Sequence, residues 1–470
     1  MQRRLSRKSM KKDHVSRRVC AISMGLLLVL AGCSAKGTAA ASASPEESSS
    51  TSGSSKSDQT FLTDTTIEEQ TIYDSDGIKI TASSLTFNDY EAELTFNVEN
   101  NADKEYSITS GSLGYSCNAI NSWMVEDGWF NVTLQPGKKS VEKADFDLDN
   151  LKSYGIHEIG TIQMGFDIED TAEQDSSYTG PIEIKTSKSD SYQKDSDWSL
   201  QELLDNGAGR IDTSYTMHYN DDQKIFDENG VTVSQEAFIT DHDNDKLLIL
   251  LAENNGSDTA VFSCGHFTIN SVGASSGIWS SDNIIPGRKY LSVINLSNMV
   301  SDEDEQNMIG FDSISTIDFQ LSLMNGWDYV AGPDDVTLTV SSEQASADPS
   351  GEEVYSSNGI TMISKGLTKD KYDSDERHWK ILVQNNSGQD ISIADQFNSF
   401  SIGDYMVDCI MFSQDVANGS SGILDIEILS NSLKDNGIDP NSITNAQITL
   451  EIKDSDYNDI DTPTISAQFQ

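Results

Sequence analysis

Three runs of aspartate are the residues whose type and spacing could do chemistry: Asp241, Asp243 and Asp245; Asp370, Asp373 and Asp375; and Asp454, Asp456, Asp459 and Asp461. Carboxylates crowded on one turn suit a hard cation held through oxygen, so calcium is the cofactor they would take. The alternating run at 241 lacks the glycine at position six and the glutamate at position twelve of a calcium loop. Solvated acidic loops, which need no ligand, are the favoured reading. Trp123, Trp129 and Trp279 form a second candidate set, since an indole face can stack on a sugar ring. A β-sandwich core also uses tryptophan, and the core reading is favoured. His157, His218, His242, His266 and His378 are dispersed, and there is no HExxH, GxSxG, P-loop or dinucleotide glycine pattern, so no catalytic set assembles and no enzyme is expected. Cys117, Cys264 and Cys409 are lone thiols far apart in sequence, expected as small buried groups.

The elements that must position these residues come in three copies. Each copy opens on a glycine turn (Ser75-Asp76-Gly77-Ile78, Glu228-Asn229-Gly230-Val231, Ser357-Asn358-Gly359-Ile360) and runs through a strand to an asparagine pair: Asn100-Asn101, Asn254-Asn255 and Asn385-Asn386. A turn follows at Pro136-Gly137, Pro286-Gly287 and Asn418-Gly419, then a short helix that stops at Gly155, Gly310 or Gly437. Next comes the clearest period-two pattern: Ile162, Met164, Phe166, Ile168; Ile317, Phe319, Leu321, Leu323; Ala446, Ile448, Leu450, Ile452. One wet and one dry face per strand predicts antiparallel sheets packed on one side. The fold class expected is all-β: three tandem immunoglobulin-like antiparallel β-sandwich domains, each with a short helix. The order of these motifs resembles the telokin-like immunoglobulin-type domains of unknown function in lipoproteins of Gram-positive bacteria. That resemblance brings no catalytic residue with it.

The first 32 residues read as an address. Arg3, Arg4, Arg7, Lys8, Lys11, Lys12, Arg17 and Arg18 precede an apolar run from Val19 to Leu30, too short to span a bilayer, and Leu30-Ala31-Gly32-Cys33 closes it. This pattern resembles the bacterial lipoprotein signal. The resemblance implies cleavage between Gly32 and Cys33, acyl chains on Cys33, and a location on the extracytoplasmic face of the cell membrane.

The domain expectation is therefore a signal peptide at 1–32 and a lipid-anchored low-complexity tether at 33–65. Domains follow at 66–187, 216–341 and 353–470, with a connector at 188–215 and a linker at 342–352. In the connector, Ser199 and Glu202 have capping-box spacing and Gly207 ends the predicted helix, which fixes domain one to domain two. The linker reads as flexible, so the third domain is expected to swing.

Charge limits the partners. Removing residues 1–32 takes 8 of the 31 basic and 1 of the 76 acidic residues, leaving 23 against 75 and a net charge of about −52. Nucleic acid is repelled by such a chain. The function expected is a non-enzymatic binding, adhesion or spacer module with an extracellular protein or glycan partner. The alternative is a calcium- or glycan-binding lipoprotein.

Overall fold

A computed structural model describes residues 60–110, 118–173, 175–275, 277–300, 302–325, 328–341 and 347–469. The expected leader, the expected acylation site at Cys33 with Gly32, and Cys117 lie outside the described residues. Strand outweighs helix, 53% to 10%, so the chain is all-β, with several antiparallel and mixed sheets.

The first repeat holds β1 (Gln70–Ser75), β2 (Ile78–Phe87), β3 (Glu91–Asn100), β4 (Tyr106–Ser110), β5 (Asn118–Ile120), β6 (Trp123–Val125), β7 (Phe130–Leu134), β8 (Lys139–Asp147), α1 (Leu148–Ser153), β9 (Ile162–Met164), β10 (Phe166–Asp170), β11 (Asp175–Tyr178) and β12 (Ile182–Ile184). The connector forms α2 (Leu200–Asp205). The second repeat holds β13 (Thr216–Asp221), β14 (Phe226–Glu228), β15 (Val231–Thr240), β16 (Lys246–Asn254), β17 (Ala260–Ile269), β18 (Val272–Gly273), β19 (Ser280–Ile284), β20 (Arg288–Asn295), α3 (Leu296–Met299), α4 (Glu303–Ile309), β21 (Thr316–Asn325) and β22 (Asp328–Thr339). The third holds β23 (Glu352–Ser357), β24 (Ile360–Lys369), β25 (Arg377–Asn385), β26 (Ile391–Asp395), β27 (Ser401–Ile402), β28 (Tyr405–Met406), β29 (Cys409–Ile410), β30 (Gln414–Val416), β31 (Ser421–Ile428), α5 (Ser430–Asp435), β32 (Asn445–Asp454), β33 (Asp459–Asp461) and β34 (Thr464–Gln468).

The opening turns are two-residue hairpins in which both residues have positive φ: 51° and 81° at Asp76-Gly77, 50° and 84° at Asn229-Gly230, 53° and 77° at Asn358-Gly359. That geometry matches the right-handed twist of the flanking strands and favours Asn or Asp followed by Gly. A Cβ on Gly359 would lie 2.6 Å from the Asn386 carbonyl, so the glycine also admits the chain leaving the next strand.

The first asparagine of each pair fastens the two sheets of its repeat together. Asn100 Nδ2 donates to the carbonyls of Lys104 and Leu134, Asn254 to those of Asp258 and Ile284, and Asn385 to those of Gln389 and Val416, all at 2.8–2.9 Å. Each Oδ1 accepts from the backbone two residues on. All three side chains are buried, and their bonds to Leu134, Ile284 and Val416 satisfy carbonyls that water cannot reach.

Three apolar cores result. The first gathers Phe96, Phe130 and Phe166; the second Phe226, Phe262 and Phe319; the third Trp379, Ile448 and Leu450. Residues 60–65 belong to the first rather than to a tether. Phe61 packs into that core, the Leu62 N–H donates to the His157 carbonyl at 2.8 Å, and Thr65 Oγ1 donates to the Ile159 carbonyl. Sequence composition placed the tether boundary a few residues too late because one phenylalanine can anchor a polar stretch.

The repeats are joined edge to edge. β6 pairs in parallel with β20, with the Lys289 N–H donating to the Ser122 carbonyl at 2.8 Å. β18 pairs in parallel with β31, where the Ser421 N–H donates to the Ser271 carbonyl at 2.9 Å. The expectation that the third repeat swings freely is therefore corrected. Ile363, Leu382 and Ile423 on its outer sheet face are buried in the core of the second repeat, and a shared strand ladder holds the two together.

Candidate functional site

The aspartate runs fold into tight loops in which the leading carboxylate serves the turn's own N–H groups. Asp241, between β15 and β16, accepts the N–H groups of Asp243 (3.0 Å) and Asp245 (2.8 Å), while Asp245 accepts from Asn295 Nδ2 at 3.0 Å. Asp370, between β24 and β25, accepts from the N–H groups of Tyr372 and Asp373, both at 2.6 Å. Asp373 in turn accepts the Asp375 N–H and the Ser430 hydroxyl. Asp454 does the same with the N–H groups of Asp456 and Asn458, and the Asn458 side chain holds its carboxyl below the ordinary range. Among the described residues no group of three or more His, Cys, Asp or Glu side chains is placed to hold a metal ion. Among the described residues, Asp241, Asp243, Asp245, Asp370, Asp373 and Asp375 are thus drawn into turns and share no common focus. An aspartate at the head of a short loop is better satisfied by the turn N–H groups than by converging with its neighbours.

The tryptophans divide. Trp123 is 1% exposed, 5.1 Å from the Tyr154 ring centroid, with Lys289 Nζ 5.6 Å from its own, and so offers no face to a ligand. It is a wedge in the junction between the first two repeats. Trp129 and Trp279 are 57% and 63% exposed. They precede β7 and β19 at the same position of their repeats, five residues before the Leu134 and Ile284 carbonyls that the buried asparagines hold. Trp279 is steadied by an indole N–H bond to Ser263 Oγ at 3.1 Å. The third repeat presents Phe412, 72% exposed, one residue from the equivalent place. Cys264 is buried, and burial pushes its thiol well up; Cys409 is partly buried and pushed up to about 12 for the same reason. Neither is poised as a nucleophile.

Sequence reasoning missed the outward faces of the three equivalent sheets. On β3 the outward residues are Glu93, Thr95 and Asn97; on β16 they are Leu247, Ile249 and Leu251; on β25 they are His378, Lys380 and Leu382. The first set is partly exposed and carries an ion pair, Glu93 to Lys143 at 2.8 Å. The second lies in the first core, beneath Leu200, Leu203 and Leu204 of α2, whose capping box at Ser199 and Glu202 is complete. The third is half ionic: Lys380 is 1% exposed, its Nζ 3.1 Å from Asp425 and 3.3 Å from Asp302 on the second repeat.

Burial alone would push the Lys380 ammonium down, but Asp425 and then Asp302 outweigh it and hold it above its ordinary value. His378 Nδ1 lies 2.9 Å from Asp425, and that carboxylate raises the imidazole against the same burial. Asp425 is held low by His378 and Lys380 against burial. Glu305, buried on α4 and accepting from the Ser275 N–H and hydroxyl, is raised by burial. The matching polar contacts at the first junction are Arg210 to Asp127 at 2.5 Å, and Asp195 accepting from Asn121 and Ser122. Asn121 and its counterpart Asn270 both have φ of 53°, and each secures the tip of a joining hairpin to the helix-side loop of its repeat.

Neither the family models nor the curated proteins contain a match. Solved structures give distant likenesses. Escherichia coli alpha-2-macroglobulin activated by porcine elastase is 6% identical over 84% of this chain and 33% of that one, with a TM-score of 0.15. A Paenibacillus xanthan lyase is 7% identical over 86% and 55%, with a TM-score of 0.08. The chain thus spans about a third and about half of these two, and likeness at that level carries no functional argument.

Proposed function

We propose that the chain is an extracytoplasmic lipoprotein held to the membrane through acyl chains on Cys33, and that its three immunoglobulin-like sandwiches act as a non-enzymatic binding and spacer module. The strand pairing at both junctions is the observation that supports this reading. A stack braced by shared ladders and buried side chains presents surface loops at a fixed spacing, which a flexible string of domains cannot do. The acidity of the exported part keeps it soluble and off anionic lipid. Labelled palmitate fed to the producing cells tests the anchor. Incorporation that Cys33→Ala abolishes, with release of the protein from the membrane, supports it; unlabelled protein in the cytosol with its leader intact refutes it.

The exposed tryptophans favour a glycan as the ligand of this module, because Trp129 and Trp279 repeat at one position along the stack. Indole faces at a regular spacing suit a repeating sugar chain. Retention on insoluble cell-wall glycan that falls at least tenfold in the double variant W129A/W279A supports this, and unchanged retention refutes it.

A further inference from the structure

The hairpin that joins each repeat to the next occurs a third time. β5–β6 turns at Asn121-Ser122, β17–β18 at Asn270-Ser271 and β27–β28 at Gly403-Asp404, where the first residue has φ of 53°, 53° and 58°. The outer strands of the first two hairpins pair in parallel with β20 and β31, the strands that follow the Pro286-Gly287 and Asn418-Gly419 turns of the next repeat, and their side chains are buried: Trp123 is 1% and Val272 1% exposed. The outer strand of the third, β28, stands at the end of its sheet beside β27, with Tyr405 53% and Met406 56% exposed. Next to it in sequence, Ile410 and Phe412 are 40% and 72% exposed.

We propose that this hairpin and its apolar neighbours are a docking surface for a β-sandwich module of another protein, one with an open edge strand, an apolar outer sheet face and a basic residue beside that edge. The proposal rests on the reading of the stack as a binding module and names the partner's chemistry. The occupant is inferred from continuity: both equivalent hairpins in this chain are covered by such a module. In both junctions the accepting repeat brings a lysine to an aspartate of the preceding segment, Lys289 to Asp197 at 2.9 Å and Lys380 to Asp302 at 3.3 Å. Asp404 and Asp408 flank β28 and await the same partner charge.

A second copy of this chain fits poorly. The equivalent accepting edge is β8 of the first repeat, and the face beside it carries Glu93, Thr95, Asn97 and Lys143, with Glu93 paired to Lys143 and Glu99 to Lys139 at 2.9 Å. Covering it with tyrosine and methionine would strip hydration from paired charges for little apolar gain. Two tips face to face would bring Asp404 and Asp408 against their own kind.

The test makes an accepting face on the chain itself. In the piece from residue 60 onward, which holds all three cores, E93L/T95I/N97L/K143V gives the first repeat the outward residues of the second. Light scattering should show the unaltered piece monomeric at micromolar concentration and the folded graft assembling head to tail. Adding Y405D/F412D should weaken that assembly at least tenfold. A folded graft that stays monomeric, or assembles equally with the altered tip, overturns the proposal. Unaltered protein that self-associates through Tyr405 overturns it in favour of a second copy. If the graft does not fold, amide exchange on the unaltered piece decides: Met406 should exchange at least a hundredfold faster than Met124 and Gly273, which hold its place on the two covered hairpins, and equal protection overturns the open edge. None of these outcomes bears on acylation of Cys33, so failure here and failure of the anchored-module reading are separable.

Discussion

Lys380→Ala should loosen the second junction by an amount that the geometry sets. The ammonium is 1% exposed and bridges Asp425 on its own sheet to Asp302 at the N-cap of α4. Removing one partner of a buried pair costs about 3–5 kcal/mol, mostly because the remaining charge is left desolvated. Two features push the expectation to the low end. Asp302 is 41% exposed and regains water, and Asp425 keeps its bond to His378. A loss of about 3 kcal/mol at roughly 1 °C per kcal/mol for a chain of this length predicts a melting temperature lower by about 3 °C. Amide exchange should rise at β18 and in the Ser421 end of β31, and leave β6 unchanged. The double variant K380M/D425L should recover most of the loss, since apolar groups of similar volume replace a buried pair at little cost. A shift no larger than that of exposed Lys434→Ala, or faster exchange spread evenly over all three repeats, would refute the claim that this lysine locks the junction.

Three further outcomes follow from the same geometry. Asn385→Ala removes the side-chain bond to the buried Val416 carbonyl and should cost about 1–3 kcal/mol in urea unfolding. Glu236 is pushed up to about 7, first by burial and then by Asp221, with only a 3.4 Å contact from the Tyr219 hydroxyl. The fold therefore holds a proton there that the unfolded chain releases near its ordinary 4.5, so this group's contribution is full below that pH and is lost as pH rises through 7. Glu236→Gln should match the parent's melting temperature at pH 5 and exceed it at pH 8; the reverse order would be wrong for a raised carboxyl. Millimolar calcium should move the melting temperature by less than about 1 °C, because a ligand stabilises only in proportion to its binding and these carboxylates already serve turn N–H groups; a larger rise would contradict the loop geometry.

What the sequence made legible was local. The Asp-Gly and Asn-Gly turns, the glycines after the helices, the capping box at Ser199 and Glu202, and the alternation along Ile448, Leu450 and Ile452 each report a conformational preference of a few neighbouring residues. All are found where they were expected. What was not legible depends on surfaces brought together from far apart. Trp123 and Trp129 belong to the same repeat, yet one is a wedge and the other is exposed, because only the first lies where the next repeat lands. Lys380 has the alternation of a solvated charge and becomes buried only when α4 closes over it. The apolar run from Leu247 to Ala252 was the one available warning: a strand apolar at every position is covered on both faces.

The outward faces also explain why the repeats stack in one order. Leu247, Ile249 and Leu251 supply the apolar seat on which α2 lies, each burial worth about 1.5–3 kcal/mol. The equivalent Glu93, Thr95 and Asn97 would place a carboxylate and two polar groups in that seat, so the first repeat cannot replace the second without leaving them unpaired. The third repeat combines the two chemistries. Leu382 and Ile423 add contact, while buried Lys380 needs carboxylates at fixed points, one of which the second repeat supplies at Asp302, the N-cap of α4. Apolar contact sets the strength of each junction, and the buried charges add a geometric requirement at the second. A polar first face is like the polar outer face of capping repeats in other arrays, which needs no apolar cover.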